Sequence, residues 1–133
     1  MSQENLEIVR QAYEAFNRQD ADALDALSQS DLVMDWSRSI GPQRGVYRGR
    51  AGVEEWIAAI SEAFESFEIL PLEYVGEGDR IVVPTRVKGR GRGSGVVVDA
   101  EGVTLWELER GKVARLTLYG TRQEALEAAG MRE

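Results

Sequence analysis

This chain contains no cysteine and no histidine. The first absence removes disulfides, thiolate nucleophiles and thiolate metal ligands together. The second removes the side chain best suited to acid–base work at neutral pH, and the commonest metal ligand. Basic residues are also in deficit, with 16 Lys and Arg against 23 Asp and Glu, a net charge of −7. A chain of that balance repels polyphosphate, so nucleic acid is not an expected partner. No apolar run reaches the length of a membrane span, and the first residues lack the basic and apolar regions of a signal peptide. A cytoplasmic location with no membrane partner is therefore expected. Repeats, low-complexity tracts and linkers are missing as well, and no cofactor or metal is expected.

What remains is a globular composition, 43% hydrophobic and 29% charged over 133 residues. That suits one domain, 1–133, with a single continuous core. Leu6, Val9, Tyr13 and Phe16 fall on one helical stripe, with Ser2 placed to cap its start. Asp20 is placed to cap a short second helix through Leu24 and Leu27. Residues 32–36 read as a strand, followed by a loop studded with glycine and arginine. Val53, Trp56, Ile57, Ile60 and Phe64 then return to helical spacing, predicting a third amphipathic helix over 51–65. From Phe67 the period changes to two. Segments near 67–75, 80–90, 95–108 and 112–119 read as strands, and the short turns between them imply antiparallel pairing. Thr121-Arg122-Gln123-Glu124 is a capping box that opens a terminal helix, stopped by Gly130. An α+β domain with helices packed on one curved antiparallel sheet follows.

The order of these elements, with the words Ala12-Tyr13-Glu14-Ala15-Phe16-Asn17-Arg18-Gln19-Asp20, Asp35-Trp36, Gly45-Val46-Tyr47-Arg48-Gly49-Arg50-Ala51-Gly52-Val53 and Tyr119-Gly120-Thr121-Arg122-Gln123-Glu124-Ala125-Leu126, resembles the SnoaL-like group of the nuclear transport factor 2-like superfamily. Gly89-Arg90-Gly91-Arg92-Gly93-Ser94-Gly95 is similar to that group too. The resemblance runs over essentially the whole chain. It implies a cone-shaped fold, a bent sheet wrapped around a cavity and covered by the helices, paired as a homodimer through the outer face of the sheet. Members include ketosteroid isomerase, polyketide cyclases and dehydratases, so the fold does not choose a function.

Carried over residue by residue, the resemblance puts Trp36 where an isomerase places its base, with Asp35 one position early. It puts Ala12 at the first-helix tyrosine position, with Tyr13 next to it, and Thr104 at the strand aspartate position. The His–Asp pair of the dehydratases has no counterpart. Alternation and the resemblance together turn Met34, Trp36, Thr104, Trp106, Leu116 and Leu118 inward. Tyr13, Phe16, Trp56 and Ile60 join them from the helices as candidate ligand-binding residues. The pattern offers two faces for Arg86: Ile81, Val83, Thr85 and Val87 form the apolar face and could be core, whereas the resemblance turns Arg86 into the cavity. Asp35 and Arg86 are accordingly the candidate catalytic pair.

Three functions stay open. One is a pocket protein that binds a small hydrophobic or aromatic molecule, polyketide- or steroid-like. The second is an isomerase, cyclase or hydrolase using a pocket carboxylate with arginine support. The third is a dimeric accessory domain with a filled core.

Overall fold

The computed structural model describes residues 2–76 and 78–131. Its elements run α1 (Ser2–Arg18), α2 (Ala21–Ala26), β1 (Ser28–Asp35), β2 (Val46–Arg48), α3 (Gly49–Ala63), β3 (Phe64–Pro71), β4 (Arg80–Gly91), β5 (Val97–Glu109), β6 (Lys112–Tyr119) and α4 (Arg122–Ala129). The cap expected of the Ser2 side chain lies outside the described residues. Asp20 caps α2 by accepting from the Ala23 amide. Thr121 and Glu124 form both halves of the box that opens α4, and Gly130 closes it at φ 75°, where a side chain would be strained.

The six strands form one sheet in the order β2-β1-β6-β5-β4-β3. Two features differ from the expectation. β2 falls inside the stretch read as loop, because three residues are too short to show an alternation. In addition, β1 runs parallel to β6, so the sheet is mixed rather than wholly antiparallel. The long connection through α3 to β6 permits this pairing, whereas the tight turns of β3 to β6 enforce antiparallel neighbours.

Strand register assigns the faces. Met34 pairs with Leu116, Leu116 with Trp106, and Trp106 with Ile81, giving one inward row across four strands. Leu118, Thr104 and Val83 make the next row on the same side. α1 and α3 cover this side, and the main core lies between them and the sheet. A second, smaller core lies on the opposite side, where Ala125, Leu126 and Ala129 of α4 pack on Val82, Val103 and Leu105. Part of the outer face is therefore already covered by the chain's own last helix. α3 is held close to β2 by Gly52, where an added Cβ would stand 2.7 Å from the Tyr47 carbonyl carbon.

Candidate ligand site

Helix α1 delivers Tyr13 and Phe16 to the interior one turn apart, α3 delivers Trp56 and Ile60 at i and i+4, and the sheet supplies Met34, Trp36, Thr104, Trp106 and Leu116 by alternation. All nine are buried. Leu118 is half-buried at the edge of the same face.

The rings pack on one another. Trp36 stacks on Trp56 at 5.6 Å between centroids, and the edge of Phe16 meets Trp56 at 4.8 Å. Tyr13 meets Trp106 at 5.1 Å. These separations and tilts suit the quadrupoles of aromatic faces and edges. Phe67, from β3, adds a ring 5.9 Å from Trp56. Sequence reasoning placed Phe67 only at the start of a strand. Its register with Gly89 on the inner face is what turns it towards Trp56.

Within this apolar shell runs a chain of hydrogen bonds. The Trp106 indole N–H donates to the Tyr13 hydroxyl at 2.9 Å, and the Tyr13 and Thr104 hydroxyls are 2.7 Å apart. The Thr104 hydroxyl reaches the Val83 carbonyl at 3.2 Å. A carbonyl can only accept, so Thr104 donates to Val83 and Tyr13 donates to Thr104. The direction is then fixed from Trp106 through Tyr13 and Thr104 to the backbone. Tyr13 thus meets Thr104 directly, although the resemblance placed the tyrosine position on Ala12. Burial pushes the Tyr13 phenol well above its ordinary range, against the pull of the Thr104 and Trp106 hydrogen bonds. It stays a protonated hydrogen-bond donor at neutral pH and does not serve as a base.

Among the described residues, three other buried polar groups are not satisfied. The buried indole N–H groups of Trp36 and Trp56 have no protein partner, and neither does the buried Gln43 side-chain carbonyl. A void of about 10 Å³ abuts Phe16, Met34, Leu116 and Trp106. That is at or below the ~10–15 Å³ one water requires. Neither Trp36 nor Trp56 lines it. The interior is closed in this conformation. A broad open groove of about 620 Å³ lies outside it, walled by Asn17, Phe67, Gly89 and Val98 among others. Asn17 there is committed to structure: its amide donates to the Ile69 carbonyl and accepts from the Ile69 N–H, which ties α1 to the edge strand. The sequence showed Asn17 only as the end of a helical pattern.

The candidate catalytic pair is not in this interior. Asp35 pairs with Thr117, which pairs with Leu105 and so with Val82, a row on the outer face. Its carboxylate accepts from the Ser37 amide and hydroxyl and stands 3.5 Å from Arg115. Burial raises its pKa, but the Ser37 hydrogen bonds and the charges of Arg38 and Arg115 outweigh that and hold it below the ordinary carboxylate range. The expectation that Arg86 enters the cavity is corrected in the same way. Arg86 pairs in register with Glu101, and its guanidinium holds Asp99 at 2.7 Å and Glu101 at 3.0 Å. The Asp99 hydrogen bond, with the nearby Glu101, shifts its pKa upward. Ile81, Val83, Thr85 and Val87 take the inner side, so parity sends Arg86 outward. Among the described residues no carboxylate is buried in the core, and none form a cluster of three that could hold a metal.

The sequence profile of the SnoaL-like domain matches residues 9–116. No curated protein matches the sequence. Among solved structures, the chain is similar to TerC co-crystallised with polyporic acid, at 21% identity over 93% of this chain and 96% of that one, with a TM-score of 0.76. It is similar to a nuclear transport factor 2-like protein from Burkholderia xenovorans, at 26% identity over 96% and 97% of the two chains and a TM-score of 0.75. It is also similar to a protein of ketosteroid isomerase-like fold from Catenulispora acidiphila in complex with trimethylamine, at 19% identity, 95% and 94% coverage and a TM-score of 0.75. With the cone of α1, α3 and curved sheet in place and its profile matched over most of the length, the chain belongs to the SnoaL-like domain family of the nuclear transport factor 2-like superfamily.

Proposed function

We propose that this chain is a cytoplasmic small-molecule-binding protein that receives a hydrophobic or aromatic ligand between α1, α3 and the inner face of the sheet. The observation that carries the reading is the convergence of Tyr13 and Phe16 from α1, Trp56 from α3, Trp106 from β5 and Trp36 from just beyond β1 on one interior, with a hydroxyl chain among the rings. A plain core is satisfied by aliphatic side chains. Large rings with polar handles suit the walls of a site for flat organic molecules. The relative that crystallises with polyporic acid is consistent with it. Acid–base catalysis by Asp35 with Arg86 has no support from the geometry, because both side chains lie on the other face with partners of their own.

A bicyclic ketone, 1-tetralone, is a suitable probe. Occupancy of the interior raises the melting temperature by mass action and alters the near-ultraviolet circular dichroism of the stacked tryptophans. A protein unmoved in both measurements at millimolar 1-tetralone does not bind ligands there.

A second reading rests on the void of about 10 Å³. Under it the rings are finished core and the chain is an accessory domain. That same null result would favour it. In either case we propose a homodimer through the outer face, supported by Val97, 65% exposed in the row of Asp99 and Glu101. Light scattering at the mass of a single chain, 14.8 kDa, would end that part.

A further inference from the structure

We infer that the ligand is a flat organic molecule carrying a carbonyl or phenolate oxygen, and that this oxygen accepts hydrogen bonds from the indole N–H groups of Trp36 and Trp56. The inference rests on the reading of the interior as a binding site and specifies its chemistry. Trp36 and Trp56 are 5% and 0% exposed, and neither indole N–H has a partner. An unpaired buried donor carries a desolvation penalty, which is why native proteins rarely keep one. Here two occur on adjacent stacked rings.

The remaining polar groups of the interior define what such a ligand can and cannot be. The donors of Trp106, Tyr13 and Thr104 are consumed in sequence, ending on the Val83 carbonyl. The Thr85 hydroxyl donates to the Gly102 carbonyl. Among the described residues, free donors are therefore present beside the rings and no carboxylate is buried, while the one unpartnered buried side-chain acceptor, the Gln43 carbonyl, belongs to the loop before β2. A ligand with acceptor oxygens can pair the two indoles, whereas an ammonium ligand leaves both unpaired. A related structure holds trimethylamine, and by this argument the present interior selects the opposite chemistry. Phe67 walls the open groove, and its ring lies 5.9 Å from that of Trp56, so the groove is the side from which the stacked pair is nearest.

The test compares 1-tetralone, tetralin and trimethylamine on the full chain, by tryptophan fluorescence titration and by melting temperature. Tetralin has the same bicyclic shape without the oxygen. The expected result is that 1-tetralone binds about ten-fold or more tighter than tetralin, as one net hydrogen bond of ~1.4 kcal/mol provides. Trp36→Phe and Trp56→Phe keep a ring and remove the N–H. Each should weaken binding of the ketone more than binding of tetralin, so that the ratio of the two affinities falls towards one. A merely structural role would weaken both ligands together, and a cooperative melt for each variant establishes that it is folded. Equal affinity for ketone and hydrocarbon would overturn the acceptor assignment and leave the binding site standing. Variants that retain the full ketone preference, or a wild-type preference for trimethylamine, would overturn it too. Binding of none of the three would remove the site itself.

Discussion

On the inner face of the sheet the row Met34–Leu116–Trp106–Ile81 carries no charge, while one residue along the same strands the outer row Asp35–Thr117–Leu105–Val82 begins with a carboxylate held near Arg115. The two faces thus use different physics. Inside, rings and a directed chain of hydroxyls are fully dehydrated, and each polar atom matters because water cannot replace a missing partner. Outside, Asp35, Arg86, Asp99, Glu101 and Arg115 are paired but in contact with solvent, where ion pairs are screened. The comparison teaches that the charges of this chain are poor guides to the proposed site, whose interior offers neutral donors instead.

The largest expected effect comes from removing an inner ring. Trp106→Ala deletes a side chain that is 1% exposed and packs on both Tyr13 and Phe16. We expect a loss of about 3–5 kcal/mol in urea unfolding, since a large aromatic leaves a cavity the surroundings only partly fill. A loss below ~1 kcal/mol would mean that the interior is loosely packed. The hydroxyl chain gives the next effect, and its direction predicts an order. Thr104→Val leaves the Tyr13 O–H with no acceptor and should cost about 1–3 kcal/mol. Tyr13→Phe should cost less, because the Trp106 N–H also reaches Thr104 at 3.1 Å and Thr104 keeps Val83. The reverse order would show that Thr104 donates to Tyr13 instead of to the Val83 carbonyl.

The same contrast explains what could be read in the sequence. Helical periodicity placed α1 and α3 and their inner stripes, because Tyr13, Phe16, Trp56 and Ile60 recur at three- and four-residue spacing. Alternation placed Met34, Thr104, Trp106 and Leu116 on one side for the same reason. Arg86 exposed the limit of alternation: a strand with apolar residues at 81, 83 and 87 and charges at 86, 88 and 90 states that two faces exist, but not which one is covered by α1 and α3. Asp35 carried the same ambiguity. Nothing local marks Asn17 as a clamp on Ile69, or Phe67 as a neighbour of Trp56, since both contacts depend on register between distant strands and helices. The parallel pairing of β1 with β6 is equally non-local, and the three residues of β2 are too few to carry a period.

On the outer face the effects shrink, and pH separates them. The Asp35 carboxyl titrates lower in the folded chain than in the unfolded one. Its contribution is therefore complete above the unfolded value of about 3.9 and is lost as pH falls through the folded value. Asp35→Asn should lower stability by about 1 kcal/mol at neutral pH, a typical value for a partly exposed charged hydrogen bond. The difference from wild type should shrink as pH falls below that unfolded value. A deficit that persists in acid would mean the side chain acts through packing and not through charge.

Arg86→Leu should have the smallest effect, and it separates the two faces most directly. The guanidinium is 39% exposed, and its partners Asp99 and Glu101 are 45% and 71% exposed. Pairs of that exposure are weak and weaken further as salt screens them. The melting temperature should therefore fall only slightly at low salt and by less at 0.5 M salt, while the affinity for 1-tetralone stays unchanged. Were Arg86 to turn inward when ligand arrives, replacing it with leucine would instead change ketone affinity several-fold with little effect on the melt. The register argues against that turn: bringing Arg86 inside requires a one-residue slip of β4, and the slip would exchange Ile81 and Val83 of the inner core with Val82 of the outer one, disrupting the packing on both faces.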